Sequence, residues 1–290
     1  MTVLITGAAG RTSRYVVRAL LKNEPQMDLR LLVRSEAAAE KVQAEFPQLP
    51  HSAFAIGDYL ESSTLPAAFQ GVDVVFHNGP AFHSQETAMG IAAIDAAREA
   101  GVKHFVFCSV LFPLLHKLLN HEVKLRYFRI EEYLIESGLN YTILENINLQ
   151  NVITKSVLPC GYSPKVLQGF LDLQDLADIA RLVIVAPLSH NRARYELVGE
   201  NCSLEDVAKT ITRRTHLVKN VVCQQIPRDQ VVAMDVTPVN VQGVYAQDAL
   251  DRMLYYYNKR GIPGNDNTVR WLLGREPTTW KALVDRELGK

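Results

Sequence analysis

No two cysteines in this chain have C-x-x-C spacing. Only four occur among 290 residues, Cys108, Cys160, Cys202 and Cys223, and they are widely scattered. The usual structural zinc sites and dithiol redox motifs therefore have no support. Reduced, mostly buried thiols are expected instead, which fits a cytoplasmic protein. A surplus of charge is also missing: 31 Lys and Arg balance 31 Asp and Glu. Direct nucleic-acid binding or attachment to an acidic membrane surface would call for a basic surplus. A membrane span needs about 20 apolar residues in a row. The longest candidate, "LADIARLVIVAPL", is shorter and carries Asp178 and Arg181. No charged-then-apolar leader is expected, because "TVLIT" reads directly as a first strand. The histidines show no H-E-x-x-H spacing and no G-x-S-x-G elbow occurs, so neither a metal nor hydrolase chemistry is indicated.

What is present is a regular alternation. Strand-like apolar runs fall at Val3–Thr6, Leu29–Val33, Ala53–Ile56, Val72–Phe76, His104–Cys108 and Tyr141–Leu144. Helix-like runs fill the gaps at Ser13–Lys22, Ala37–Glu45, Leu65–Phe69, Thr87–Glu99 and Val123–Glu136. Continuous apolar strands between helices predict a parallel sheet covered on both faces, an α/β doubly wound, Rossmann-like fold. After about residue 150 the pattern loosens. Residues 1–150 read as the cofactor-binding domain and 151–290 as a smaller α/β lobe interleaved with it. In that second part "SLED" reads as a helix start capped by Ser203, with Asp206 three residues on. Gly261 and Pro263 stop the helix of "DALDRMLYYYNKRGI".

The first strand runs into "TGAAGRTS". Gly7 follows the strand, where a tight turn needs a residue without a β-carbon. Gly10 lets the backbone approach a pyrophosphate at the start of the next helix, with Arg11, Thr12 and Ser13 in its first turn. Free N–H groups and the helix dipole favour an anion there. Ser13 stands where the third glycine of the dinucleotide fingerprint would allow close helix–strand packing, and is expected to loosen that packing. A tight turn with no ligand is the alternative.

The second strand ends in "LVRSEAA", without the acid that would hold a ribose 2′-hydroxyl. Arg34 and Ser35 take its place, and Arg11 reaches the same region. Two guanidinium groups suit a 2′-phosphate, so the expected cofactor is NADP(H). Arg34 as an ordinary solvated cation is the competing reading. "GDY" ends the third strand, where Asp58, beside Tyr59, either accepts from an adenine or caps the next helix. "HNGP" ends the fourth, placing Asn78, Gly79 and Pro80 along the adenosine and pyrophosphate path. "CSV" ends the fifth, near the expected nicotinamide.

With "TGAAGRTS", "LVRS", "GDY", "GVDVVFHNGP", "AGVKHFVFCSV", "EEYLIESGLNYTIL" and the tail "LLGREPTTWKALVDREL", the chain resembles the NmrA-like family, an atypical branch of the short-chain dehydrogenase/reductases. That resemblance implies an NADP(H)-binding fold with a small C-terminal lobe. Members include NADPH-dependent reductases of quinones and related molecules, and non-enzymatic NADP(H) sensors that bind a protein partner. It also implies a serine after the fifth strand, matched by Ser109, and a Tyr-x-x-x-Lys on the following helix. Those last two positions fall on Val123 and Tyr127, so the usual pair is absent. His121, Lys124 and Tyr127, at helical spacing, are the candidate substitutes for orienting a carbonyl and moving a proton. A solvated basic helix is the alternative. The family's nicotinamide cover corresponds to "ENINLQN", with Glu145 and Asn146 as candidate contacts, while Tyr162, Phe170 and residues near Leu158 are candidates to roof a pocket. Two functions stay open: an oxidoreductase acting on a carbonyl, quinone or enone of a small, largely apolar molecule, and an NADP(H)-responsive regulator.

Overall fold

In the computed structural model the described residues are 1–111, 122–146, 157–215, 220–233 and 243–287. The chain alternates as the apolar runs predict, through β1 (Thr2–Ile5), α1 (Arg11–Asn23), β2 (Asp28–Val33), α2 (Glu36–Glu45), β3 (Phe54–Ile56) and α3 (Pro66–Phe69). It continues through β4 (Val74–His77), α4 (Glu86–Glu99), β5 (His104–Val110), α5 (Glu122–Glu136) and β6 (Tyr141–Asn146). Beyond lie β7 (Val157–Cys160), β8 (Gln168–Phe170), α6 (Leu173–Val185), β9 (Ala193–Leu197), β10 (Glu200–Cys202) and α7 (Leu204–Thr215). The chain closes with β11 (Val222–Gln225), α8 (Arg228–Ala233), α9 (Val244–Arg260), α10 (Asn267–Leu273) and α11 (Trp280–Glu287).

Seven strands form one sheet in the order β3-β2-β1-β4-β5-β6-β9. Every neighbouring pair in it is parallel. This is a doubly wound, Rossmann-like α/β fold, and its order reverses between β1 and β4, where a crevice opens at the strands' carboxyl ends. Alternate residues of β1 feed opposite faces. Val3 and Ile5 join a core with Val16, Val17 and Leu20 of α1, whereas Leu4 joins Phe69, Ile94, Ile130 and Leu134 on the other side. Both faces are thus apolar, as a parallel sheet requires.

Residues beyond 150 enter that core. Leu176, Ile179, Ala180 and Val183 of α6 pack into the α1 side, and β9 extends the sheet next to β6. β7, α7, β11 and α11 gather around a small core of Leu158, Val207, Ile211, Val221, Trp280 and Val284, while Ala249 of α9 and Val269 of α10 join the cores of the main sheet. The "GREPTTW" segment ties the two parts together. Gly274 caps α10 in the left-handed region at φ 64°. Arg275 Nη2 donates to fully buried Asp175 at 2.8 Å, and Asp175 also accepts from Thr278 N at 2.6 Å and Thr278 Oγ1 at 2.9 Å. Ser203 and Asp206 form the expected reciprocal cap: Ser203 Oγ accepts from Asp206 N at 3.2 Å while Asp206 Oδ2 accepts from Ser203 N at 3.3 Å. Among the described residues no helix is long and apolar enough to cross a membrane.

Candidate functional site

The crevice between β1 and β4 is built from the glycine loop and the turn after β4. Gly7 sits at φ 57°, in the left-handed region, and a β-carbon there would overlap the Asn78 carbonyl oxygen. Gly10 N donates to Gly7 O at 2.7 Å, and a β-carbon on Gly10 would lie 2.9 Å from that oxygen. The turn therefore demands glycine at both positions. No side chain caps α1, and its first backbone bond runs from Arg14 N to Gly10 O. The amides of Arg11, Thr12 and Ser13 are left without an intrahelical acceptor, at the positive end of a 13-residue helix.

Ser13 corrects one expectation. It does not loosen the packing of α1 on β1. Its side chain is fully buried, its Oγ donates to Thr6 O at 3.0 Å and accepts from Asn78 Nδ2 at 3.2 Å. Asn78 N donates in turn to Thr6 Oγ1 at 3.1 Å. The ends of β1 and β4 are stitched to the helix start, so Ser13 has only its backbone N–H to offer a ligand. Half-buried Asn78 spends its amide group on the same stitch. His77 beneath it is a core residue. It shares Thr6 Oγ1 through Nδ1 at 3.0 Å, stacks on Phe107 at 5.8 Å, and burial pushes its pKa down to about 4.

Arg14 and Arg18 both pair with Glu45. Arg11 is half-buried and has no hydrogen-bond or carboxylate partner among the described residues; burial, with Arg14 nearby, lowers its pKa. Arg34, at the end of β2, is exposed and equally unpartnered among them. The other strand-end candidates are committed to the fold. Ser35 Oγ caps α2 by accepting from Ala38 N at 3.3 Å. Asp58 Oδ1 accepts from Leu60 N at 2.9 Å in a local turn and does not cap the short helix that follows, which starts after Glu61. Tyr59 packs edge-on against His77 at 5.5 Å. Gly79 and exposed Pro80 complete the turn, and a β-carbon on Gly79 would meet His77 Nε2 at 3.4 Å.

The ends of β5, β6 and β9 carry a second cluster. Ser109 is buried and its Oγ donates to Glu131 Oε1 from α5. Arg194 of β9 donates to Glu131 Oε2 at 2.7 Å through Nη2, and to Glu145 Oε1 at 2.7 Å through Nη2 and 3.0 Å through Nε. Burial pushes the Glu131 carboxyl up to about 7; the Ser109 hydroxyl and Arg194 oppose that rise and Glu145 adds to it. Asn146 Nδ2 donates to Ser109 O at 2.6 Å. Glu145 and Asn146, expected as cofactor contacts, thus have their side chains in this network. Glu131 and Arg194 escaped the sequence reading. One signal existed: Glu131 lies in the stripe of Ile130 and Leu134, both buried, where a carboxylate needs a partner. Lys124 and Tyr127 lie on α5, but their side chains, like all of His121, fall outside the described residues. So does "INLQN" after Asn146. Tyr162 packs edge-on against Tyr257 at 5.8 Å, Phe170 against Trp280 at 5.4 Å, and Leu158 belongs to the small second core.

Comparison with known proteins follows the same lines. Quinone oxidoreductase 2 of Escherichia coli strain K12 is 25% identical over 291 residues, spanning 96% of this chain and 95% of that one. An NAD(P)H azoreductase of Xenophilus azovorans is 30% identical over 207 residues, 68% of each chain. The solved NADPH complex of the Escherichia coli NADPH-dependent quinone oxidoreductase superposes with a TM-score of 0.78 at 23% identity, covering 99% of both chains. NmrA, a negative transcriptional regulator solved with NAD, gives a TM-score of 0.75 at 18% identity over 98% of this chain and 94% of its own. A sequence profile of the NmrA-like family matches residues 1–278, and the chain belongs to that family.

Proposed function

We propose that this chain binds NADPH in the β1–β4 crevice and uses it to reduce a carbonyl, quinone or enone of a small, largely apolar molecule. The observation that carries the reading is Arg11, a half-buried guanidinium with no acid partner among the described residues, beside a helix start with unused amides. A buried cation without a counter-ion is costly, and a phosphate is the anion whose geometry a guanidinium matches. The residues fit the cofactor. The amides of Arg11, Thr12 and Ser13 would hold the pyrophosphate, Gly7 and Gly10 leave room for it, and Arg11 with Arg34 would hold a 2′-phosphate. When bound, NADPH supplies the hydride. Ser109 stands at the end of β5, where it would meet a substrate oxygen, and the second-half segments would supply substrate or partner contacts. The relatives that act on quinones or azo compounds support this class of chemistry.

A regulator that senses NADP(H) is the second reading, favoured by Val123 and Tyr127 at the positions of the usual tyrosine and lysine. Calorimetric titration with NADPH, NADP⁺ and NADH in one buffer, followed by NADPH oxidation assays with quinones, tests both. Preference for the two NADP forms with quinone-dependent oxidation is expected. Binding without turnover would favour the regulator, and no binding at all would sink both readings.

A further inference from the structure

We propose that Glu131 is the positioning residue for Ser109: it sets which way the serine hydroxyl faces and returns a proton to it after use. This rests on the reductase reading above. The charges in this cluster are mismatched. Two carboxylates, Glu131 and Glu145, share the single guanidinium of Arg194. The Glu131 and Glu145 side chains are only 2% and 12% exposed, while Arg194 is 40% exposed and partly screened by solvent. Ionising both acids would leave net negative charge in a buried place, so one proton is retained, and the more deeply buried acid holds it.

Among the described residues no other group faces Glu131 to balance that charge. From β5 it faces Ser109, from β6 Glu145 and from β9 Arg194. The α4 and α9 helices bring Ala93, Ile94 and Ala249 to that side of the sheet, beside Ile130 and Leu134 of α5 itself. On α4, Asp95 is engaged by Tyr133 at 2.8 Å and Arg98 at 3.0 Å, and Glu86 is buried.

The protonation state then decides what Ser109 can do. An ionised Glu131 accepts from the Ser109 O–H and turns that hydrogen inward. A protonated Glu131 donates to Ser109 Oγ, which frees the serine's own hydrogen for an oxygen in the crevice. Two-electron reduction of a carbonyl or quinone leaves an anionic substrate oxygen. The Ser109 O–H bond breaks as the substrate O–H bond forms, and each electron pair stays on the oxygen that loses its proton. Glu131 passes its own proton to Ser109 Oγ and is left as a carboxylate against Arg194. Solvent restores that proton, and no further reactant is needed. Because the acid form is the productive one, kcat falls as pH rises through about 7.

The test uses the full-length protein with isotope-labelled glutamate carboxyls, followed by NMR from about pH 5 to pH 9. One carboxyl should titrate near neutrality, vanish in Glu131→Gln, and titrate higher in Ser109→Ala, which removes the hydroxyl that favours the ionised form. With NADPH and 1,4-naphthoquinone, Glu131→Gln should lower kcat roughly 10- to 100-fold with little change in KM and abolish its pH dependence through neutrality. Glu131→Asp should restore part of that dependence. A Glu131 carboxyl that is ionised at every pH tested, or that ignores Ser109→Ala, overturns the proposal. So does Glu131→Gln with the wild-type rate and pH profile. If the wild type oxidises no NADPH with any quinone, the reductase reading fails by itself, and the carboxyl titration still decides whether Glu131 and Ser109 are coupled.

Discussion

At the scale of single residues, the glycine loop, Arg11 and Arg34 carry the most specific expectations. Gly10→Val should abolish NADPH binding, because even one β-carbon would press on Gly7 O at 2.9 Å. Calorimetry checks it, and normal binding would mean the loop is not the cofactor site. Arg11→Ala and Arg34→Ala should each weaken NADPH by roughly tenfold to a hundredfold and leave NADH nearly unchanged, since a charge-assisted hydrogen bond contributes about 1.5–3 kcal/mol. Equal loss of both cofactors would remove the 2′-phosphate assignment. Ser13→Gly, which restores the glycine fingerprint, should destabilise the fold by about 1 kcal/mol. It deletes the hydroxyl bonded to Thr6 O and Asn78 Nδ2.

At the scale of elements, one clamp and one cap are open to measurement. Asp175 sits fully buried at the start of α6 and receives Arg275 and both polar groups of Thr278. Asp175→Ala should cost about 1–3 kcal/mol, because Thr278 N loses its acceptor while Arg275, 45% exposed, can turn to water. A lower urea midpoint with an unchanged slope is the expected signature. The Ser203 cap on α7 should contribute about 1 kcal/mol, read the same way in Ser203→Ala. A drop in slope in either variant would show that the second-half core unfolds separately from the main sheet.

For the whole molecule, the buried titratable groups set how stability responds to acid. Burial holds His77 and His104 at about 4, below the 6.5 of an unfolded chain. The unfolded state binds their protons first, so stability falls as pH drops from about 6.5 towards 4. Glu131 works in the opposite direction. Its folded value of about 7 lies above the ordinary 4.5, so the native state binds that proton first and gains stability as pH drops through the same window. Two histidines outweigh one glutamate, so these three groups together lose stability between pH 7 and pH 4.5. Glu131→Gln removes the opposing contribution, so its urea midpoint should fall more steeply with acid than the wild type's. Parallel pH profiles for the two proteins would show that Glu131 does not retain its proton in the native state.

The sequence by itself determined what depends on neighbours along the chain. Apolar runs of strand length separated by amphipathic stretches specify βαβ units, and handedness leaves few ways to wind them. Gly7, Gly10, Arg11 and Arg34 were legible because a turn, a helix start and a strand end present them in fixed local geometry. Ser203 and Asp206 were legible for the same reason. Tertiary structure decided the rest. Nothing local distinguishes β9 from a strand of a separate lobe, yet its register with β6 brings Arg194 to Glu145. The role of Ser13 depends on Asn78, 65 residues away, and that of Ser109 on Glu131, 22 residues away, with Arg194 a further 63 beyond. A residue pattern records that a polar side chain will be buried. It does not record which partner makes that burial affordable, because the partner is chosen by the packing of α5 against the sheet and by the register of its strands.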